Sequence, residues 1–112
     1  MLAHHLRLKR SQDFQRIRDQ GRHFRGGLLS LNVLGNDLPN NRFGFVISRR
    51  VGNAVVRNRV KRRLRAAVRI RLNELAGGFD IVVIGHTAAA TASYRELDAR
   101  LVELLQKAGL LD

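Results

Sequence analysis

A long run of positive charge on a helical pattern occupies the middle of the chain. From Ala54 to Leu75 there is neither proline nor glycine, and eight cations precede the first acidic residue, Glu74. These cations are Arg57, Arg59, Lys61, Arg62, Arg63, Arg65, Arg69 and Arg71. At about 100° per residue, one side of the helix holds Val56, Val60, Leu64 and Ala67, and the opposite stripe holds Asn58, Arg62, Arg65 and Arg69, with Lys61 beside it. The pattern predicts one helix with a core side and a cationic side.

Strand patterns flank this helix on both sides. Arg42 to Ser48 (RFGFVIS) predicts one strand, and Phe79 to Ile84 (FDIVVI) predicts a buried strand with apolar residues on both faces. Gly77 and Gly78 end the helix before the second strand. A strand, a helix and a strand in succession form a crossover unit, so we expect these two strands to be parallel.

The first part of the chain supplies one more helix and further strand structure. Ser11 is the predicted N-cap of a helix from Gln12 to Gln20. Arg22 to Leu34 is rich in strand-compatible residues, and Gly26-Gly27 divides it. The loop GNDLPNN that follows has the composition of a connection between antiparallel strands.

A last helix is predicted from Ser93 to Ala108. Ser93 and Glu96 have the spacing of a capping box. Leu97, Leu101, Leu104 and Leu105 recur at helical spacing, which indicates that this helix packs on the sheet. At 112 residues the chain is long enough for one compact domain but too short for two, so residues 1–112 are predicted to form a single domain. The order of its elements is α-β-β-α-β-α, with room for an extra short strand.

The net charge narrows the kind of partner. The sequence has a formal net charge of +12, yet 45% of its residues are hydrophobic, so the charge belongs to a folding chain. A folded protein with this much positive charge is expected to bind a polyanion. The candidates are nucleic acid, an anionic membrane surface and an acidic protein. A membrane-bound helix needs an exposed apolar face, which the core requires here, so no membrane partner is expected. Arginine predominates over lysine, which favours bidentate phosphate contacts and stacking on bases, and RNA fits that preference.

More potential phosphate ligands lie at the entrance of the cationic helix. Arg49 and Arg50 precede it, and Gly52-Asn53 could offer backbone N–H groups to a phosphate. A charge run is often only a solvated face. This run has a single sign, however, and no acidic neighbour within the helix neutralises it, so we predict phosphate binding.

No self-sufficient active site is predicted. The chain lacks cysteine, its nine acidic residues are scattered, and His4, His5, His23 and His86 lack the spacing of helical metal ligands. We therefore expect no catalytic residue, no metal site and no small-molecule substrate, and we expect Asp80, beside a strand start, to be a structural carboxylate. The start MLAHHLRLKR has no apolar segment after its basic residues, so a soluble cytoplasmic protein is the expectation.

The segment FGFVISRRVGNAVVRNRVKRRLR resembles the signature segment of the bacterial ribonuclease P protein component. RLKRSQDFQRIRDQG resembles the amino-terminal helix of that family, and FDIVVIGHTAAATASYRELDARLVELLQKAGLL resembles its last strand and helix. The resemblance implies a single-domain, two-layer α+β sandwich with a mixed sheet and an unusual left-handed crossover. It also implies a catalytic RNA partner that removes the 5′ leader from precursor tRNA with divalent metal, expected to be magnesium, in the assembled ribonucleoprotein. The protein alone would bind no cofactor.

The resemblance also implies roles for individual residues. Arg57, Arg59 and Arg62 would lie against the catalytic RNA or near its metal-dependent centre. A leader-binding cleft would contain Phe14, Asn58, Lys61 and Arg65. The whole predicted RNA-binding set is Arg49, Arg50, Arg57, Asn58, Arg59, Lys61, Arg62, Arg65 and Arg69. Arg18 and Asn32 stand where aromatic residues can occur in the family, which favours electrostatic recognition over stacking. Phe14 has the alternative of being a plain core residue.

Two functional classes follow from the sequence. The first is the protein subunit of an RNA-based endonuclease, which supports the catalytic RNA and grips the leader. The second is a generic RNA-binding module, ribosome-associated or structural, of similar sheet architecture. A stand-alone nuclease is predicted against, because the chain has no carboxylate cluster for two-metal phosphodiester chemistry.

Overall fold

A computed structural model, which describes residues 2–112, contains three helices and four strands in that range. The elements are α1 (Ser11–Gln20), β1 (Arg22–Arg25), β2 (Leu29–Gly35), β3 (Arg42–Ile47), α2 (Ala54–Arg69), β4 (Phe79–Gly85) and α3 (Tyr94–Lys107). Short 3-10 turns lie at His4–Leu6, Arg49–Val51, Leu72–Glu74 and Thr87–Thr91. The predicted order is confirmed with its extra strand, because Gly26-Gly27 separates β1 from β2.

The four strands form one mixed sheet with the order β1-β2-β4-β3. β3 and β4 are parallel, as predicted, and pair from Arg42 opposite Asp80 to Ile47 opposite Gly85. β4 is antiparallel to β2, and β2 is antiparallel to β1. The loop after β2 therefore joins two strands of opposite direction, but β4 lies between them. The left-handed crossover stays a prediction from the family resemblance.

Helices cover both faces of this sheet. Successive residues of a strand face opposite sides of the sheet. One face packs against buried residues of α2 and α3 and forms the main core with the alternate strand residues Leu29, Leu31, Val33, Phe43, Ile81 and Val83. The other face carries α1, where Ile17 packs with Leu8 and Val82 in a smaller cluster. The sheet with α2 and α3 is the predicted sandwich, and α1 is placed across the sheet from them.

Two predicted helix ends are wrong. Ser11 is the first residue of α1 and not its cap: Arg10 occupies the N-cap, and its carbonyl accepts the N–H of Phe14 at 3.3 Å. α2 ends at Arg69 and not at Leu75. The cause lies at Arg71. Its N–H donates to the carbonyl of Val68 at 3.0 Å, and its guanidinium donates to the carbonyl of Ala67 at 2.8 Å. The side chain thus replaces the backbone donor that would have continued the helix.

The predicted start of α3 is confirmed. The Ser93 hydroxyl accepts the N–H of Glu96 at 3.1 Å, and the Glu96 carboxylate accepts the N–H of Ser93 at 3.0 Å. These two bonds complete the capping box. Leu97, Leu101, Leu104 and Leu105 are all buried, so the leucine spacing identified the correct face of α3.

Asp80 joins the two faces of the sheet. Its side chain is fully buried and accepts hydrogen bonds from Arg42 on β3, at 2.8 Å to each oxygen, and from Arg16 on α1 at 2.8 Å. Asn36, in the loop after β2, donates a further bond at 3.0 Å. Burial alone raises the pKa of Asp80, but the hydrogen bonds from Arg42, Asn36 and Arg16 outweigh burial and hold the pKa below its usual value of 3.8. The expectation of a structural carboxylate at this position is confirmed.

Replacing Asp80 by Asn should lower the free energy of unfolding by about 3–5 kcal/mol, because it leaves two partly buried arginines without their counter-charge. Because the folded pKa is depressed, this stabilisation is complete above the unfolded pKa and is lost as the pH falls through the folded pKa. Urea unfolding at a series of pH values measures both effects. The exposed pair Arg100–Glu103 supplies the control, since Glu103→Gln should cost less than about 1 kcal/mol. Equal losses for the two variants would contradict the assignment.

Candidate nucleic-acid interface

The two sides of α2 have the predicted orientation. Val60, Leu64 and Ala67 are fully buried, together with Val68, and Val56 is half-buried. On the opposite stripe Asn58, Arg62 and Arg69 are exposed, whereas Arg65 and Lys61 are half-buried. The helix therefore presents a cationic surface to solvent and a second set of cations to its neighbours in the fold.

A cleft of about 600 Å³ lies between α1, β3 and α2. Its lining residues are Lys9, Ser11, Phe14, Gln15, Arg18, Phe45, Val46, Ile47 and Lys61. The fold thus brings Phe14 and Lys61 together, as the resemblance implied. Asn58 is not part of the lining, and Arg65 borders the cleft through its contact with Phe45.

Phe14 packs on the backbone of β3 at a glycine. A Cβ added at Gly44 would lie 2.6 Å from Cζ of the Phe14 ring, closer than side chains tolerate. The ring also packs beside Leu8, Ile17 and Val82. Phe14 is only half-buried and lines the cleft. It therefore supports the small core of α1 with part of its ring and provides the floor of the cleft with the rest.

Phe45 is a second aromatic residue of the cleft, and the sequence did not reveal it. The guanidinium carbon of Arg65 lies 5.8 Å from the centroid of the Phe45 ring, within the range of a cation–π contact. The alternation in RFGFVIS places Phe45 on the same face as the buried Phe43. β3 is an edge strand, however, so the outer part of Phe45 reaches the cleft. Phe45 thus adds a second aromatic face to the cleft, although Arg18 and Asn32 stand where aromatic residues can occur in the family.

The entrance of α2 uses part of its hydrogen-bonding capacity locally. Arg49 and Arg50 are exposed in the 49–51 turn that precedes the helix. The Asn53 side chain caps α2 by accepting the N–H of Val56 at 3.0 Å. The N–H of Gly52 donates to the carbonyl of Arg49 at 3.3 Å, so it is not available to a phosphate in this conformation. Two exposed side-chain cations therefore mark this entrance, and the N–H of Gly52 does not add to them.

The cations of α2 and of the segment just after it divide into groups with different environments. Arg59 and Arg63 donate to backbone carbonyls of the segment between β4 and α3, and Arg71 pairs with Asp98 of α3. Nε of Arg57 and of Arg59 is buried without a partner among the described residues. Only part of the predicted RNA-binding set is therefore unengaged and exposed.

The histidines and carboxylates form no metal-ligand group in the part of the chain that the structure describes. His23 Nδ1 lies 2.6 Å from Oδ1 of Asn32, and His86 Nε2 lies 2.7 Å from the hydroxyl of Ser30. Asn32 is buried by this contact and lies outside the lining of the cleft. Among residues 2–112 no helix is both long and apolar enough to cross a membrane.

A small α+β sheet domain with an arginine-rich helix beside an aromatic-floored cleft defines a nucleic-acid-binding protein. The family model described as Ribonuclease P matches residues 2–109. The chain therefore belongs to the family of bacterial ribonuclease P protein components, and its partner class is RNA.

Curated relatives and solved structures agree with this assignment. Ribonuclease P protein components from Roseiflexus castenholzii and Chloroflexus aurantiacus are 41% and 42% identical to this chain, over 94% of its length and 87% and 78% of theirs. The ribonuclease P protein of Staphylococcus aureus superposes with a TM-score of 0.90 at 27% identity, covering 96% of this chain and 98% of that one. The Thermotoga maritima protein gives a TM-score of 0.83 at 28% identity, covering 90% and 96%.

Replacing Gly44 by Ala should displace the Phe14 ring and lower the free energy of unfolding by about 1–3 kcal/mol, the usual cost of overpacking. The same substitution in a Phe14→Ala background should cost much less, because the obstructing ring is gone. A double-mutant cycle by urea unfolding measures the difference. Additive losses would show that the ring does not depend on Gly44.

Proposed function

We propose that this subunit of ribonuclease P holds the 5′ leader of precursor tRNA in the cleft between α1, β3 and α2, while the RNA subunit carries out the cleavage. The observation that carries the proposal is the pairing of Phe14 and Phe45 with Lys61 and Arg65 around one open groove. A single strand is best held by a basic groove with aromatic faces on which bases stack. The leader phosphates would meet Lys61 and Arg65, and a leader base would stack on the exposed part of the floor.

The outward side of α2 would meet the ribonuclease P RNA and stabilise its fold. Arg62, Arg69 and Asn58 are exposed there, and Arg49 and Arg50 extend the cationic surface beyond the helix start. Arg57 lies between this surface and the fold, with its Nε buried. The exposed arginines retain all five N–H donors for phosphate oxygens, which favours bidentate contacts.

Several carboxylates are already engaged within the fold, and among the described residues no three or more His, Asp or Glu side chains form a group that could hold a metal ion. Asp80, the buried one, is already neutralised by Arg16 and Arg42. Asp98 pairs with Arg71, and Glu96 is used in the capping box of α3. We therefore propose that the magnesium of the assembled enzyme is held by RNA and that the protein alone is inactive. The cytoplasmic location stays a prediction from the sequence.

Reconstitution tests the division of labour. Precursor tRNA should be cleaved at the mature 5′ end at low magnesium only when this protein and a bacterial ribonuclease P RNA are combined. The protein alone and the RNA alone, at the same magnesium concentration, are the two controls. Cleavage by the protein alone would overturn the proposal. If the folded protein gave no stimulation and co-sedimented with ribosomes, the generic RNA-binding module would be the better assignment.

Replacing Phe45 by Leu should weaken binding of precursor tRNA by the assembled enzyme and leave binding of mature tRNA unchanged. Leu retains most of the apolar volume but offers no ring for a base, and stacking on an aromatic contributes about 1–3 kcal/mol per base. Dissociation constants for the two tRNAs, measured side by side, check this expectation.

Phe24 provides a matched control for this variant. Arg22 lies over its ring with a centroid distance of 5.3 Å, much as Arg65 lies over Phe45, but Phe24 is outside the cleft. Phe24→Leu should therefore leave the difference between precursor and mature tRNA intact. Equal losses for both tRNAs in the Phe45 variant would favour a purely structural role for that ring.

A further inference from the structure

Two arginines of α2 are directed into the protein. Nη2 of Arg59 donates to the carbonyl of Ala90 at 3.0 Å, and Nη1 of Arg63 donates to the carbonyl of Ala92 at 2.8 Å. Both acceptors belong to residues 87–92 between β4 and α3, called here the 87–92 turn. Arg59 and Arg63 are four residues apart and therefore lie one above the other on the same side of α2.

The geometry leaves Arg59 poorly suited to bind a phosphate. A bidentate contact uses two neighbouring N–H groups of the guanidinium. In Arg59 the Nε is buried without a partner among residues 2–112, and the adjacent Nη2 is already bonded to Ala90. The edge that Nε and Nη2 form is thus closed to a bidentate phosphate. Arg62 and Arg69, by contrast, are exposed and make no hydrogen bond or ion pair within the described residues.

The 87–92 turn is a support for other cations of the interface. Ala89 is fully buried in the main core, and Ala92 is nearly so. The turn packs against the 49–51 turn, which carries the exposed Arg49 and Arg50, and against α2 itself. Whatever fixes the 87–92 turn therefore also fixes the entrance of α2.

We propose that Arg59 and Arg63 are positioning residues of the RNA interface, which hold the 87–92 turn against α2 through its carbonyls and do not bind phosphate. The charge of a guanidinium strengthens such hydrogen bonds, and the small alanine side chains let the arginines reach the backbone. For Arg59 this replaces the RNA contact that the family resemblance implied. Only the RNA-binding part of the test below rests on the proposed function.

The first measurement is hydrogen exchange on the free protein. The N–H of Ala89 donates to His86 and that of Ala92 donates to Ala89, so both amides report on the turn. In an Arg59→Ala/Arg63→Ala variant their exchange should quicken by roughly tenfold or more, the factor expected from losing a hydrogen bond to a charged group. An Arg62→Ala/Arg69→Ala variant removes the same number of positive charges and should leave the exchange rates of these two amides unchanged. Unchanged exchange in the first variant would overturn the proposal.

The second measurement is binding to a bacterial ribonuclease P RNA over a range of KCl concentrations. Loss of two phosphate contacts should reduce the log–log salt slope by roughly 1.5–2 in the Arg62/Arg69 variant. The Arg59/Arg63 variant should bind more weakly at every salt concentration with the slope unchanged. Equal reductions of the slope in the two variants would overturn the proposal.

Two further controls distinguish failure of this proposal from unfolding of the variant and from failure of the proposed function. If circular dichroism shows that the Arg59/Arg63 double variant is unfolded, Arg63→Ala alone is measured in the same way, with Arg62→Ala as its control. If the unaltered protein does not bind ribonuclease P RNA, the proposed function fails, and the exchange of the Ala89 and Ala92 amides still decides the roles of Arg59 and Arg63.

Discussion

A single buried carboxylate sets the relation between the two faces of the sheet. Asp80 lies on the central strand β4. Its carboxylate oxygens accept hydrogen bonds from Arg42 of the edge strand β3 and from Arg16 of α1. α1 has only a small apolar cluster beneath it, around Ile17, so this buried ion pair supplies much of what fixes its place. Phe14 is two residues from Arg16, and its ring provides the floor of the cleft. The geometry of the proposed RNA-binding groove thus depends on the buried carboxylate of Asp80, which does not line the groove.

The cationic residues of α2 divide the labour between surface and structure. Net charge alone describes a basic protein, whereas the structure separates arginines that face solvent, such as Arg62, from arginines that bond to carbonyls or carboxylates, such as Arg63 and Arg71. The second group joins α2 to the 87–92 turn and the segment after α2 to α3, while the outer surface of the helix stays charged. The strength of RNA binding should therefore follow the number of exposed cations rather than the total of +12.

Local signals in the sequence predicted much of this fold. The capping box of Ser93 and Glu96 and the apolar side of α2 depend on spacings within short segments, and both are confirmed. The parallel pairing of β3 with β4, predicted from the order strand, helix, strand along the chain, is also confirmed. The end of α2 and the cleft aromatic Phe45 were missed for one reason: both depend on partners distant in sequence. Arg71 turns toward Asp98 of α3, and Phe45 reaches the cleft because β4 is inserted beside β2 and leaves β3 at the edge. No local pattern encodes that strand order.

The strand order also has a consequence for the synthesis of the chain. β4 is the last of the four strands along residues 2–112, yet within them it is the strand that joins β2 to β3 in the sheet. Until residue 85 has left the ribosome, the arginine-rich helix has no completed sheet on which to bury Leu64 and Val68. A nascent chain that stops before this point is a basic, unfinished fold with exposed apolar surface. The order of assembly therefore delays the proposed RNA-binding surface until β4 has been made, because the sheet depends on contacts between residues distant in sequence.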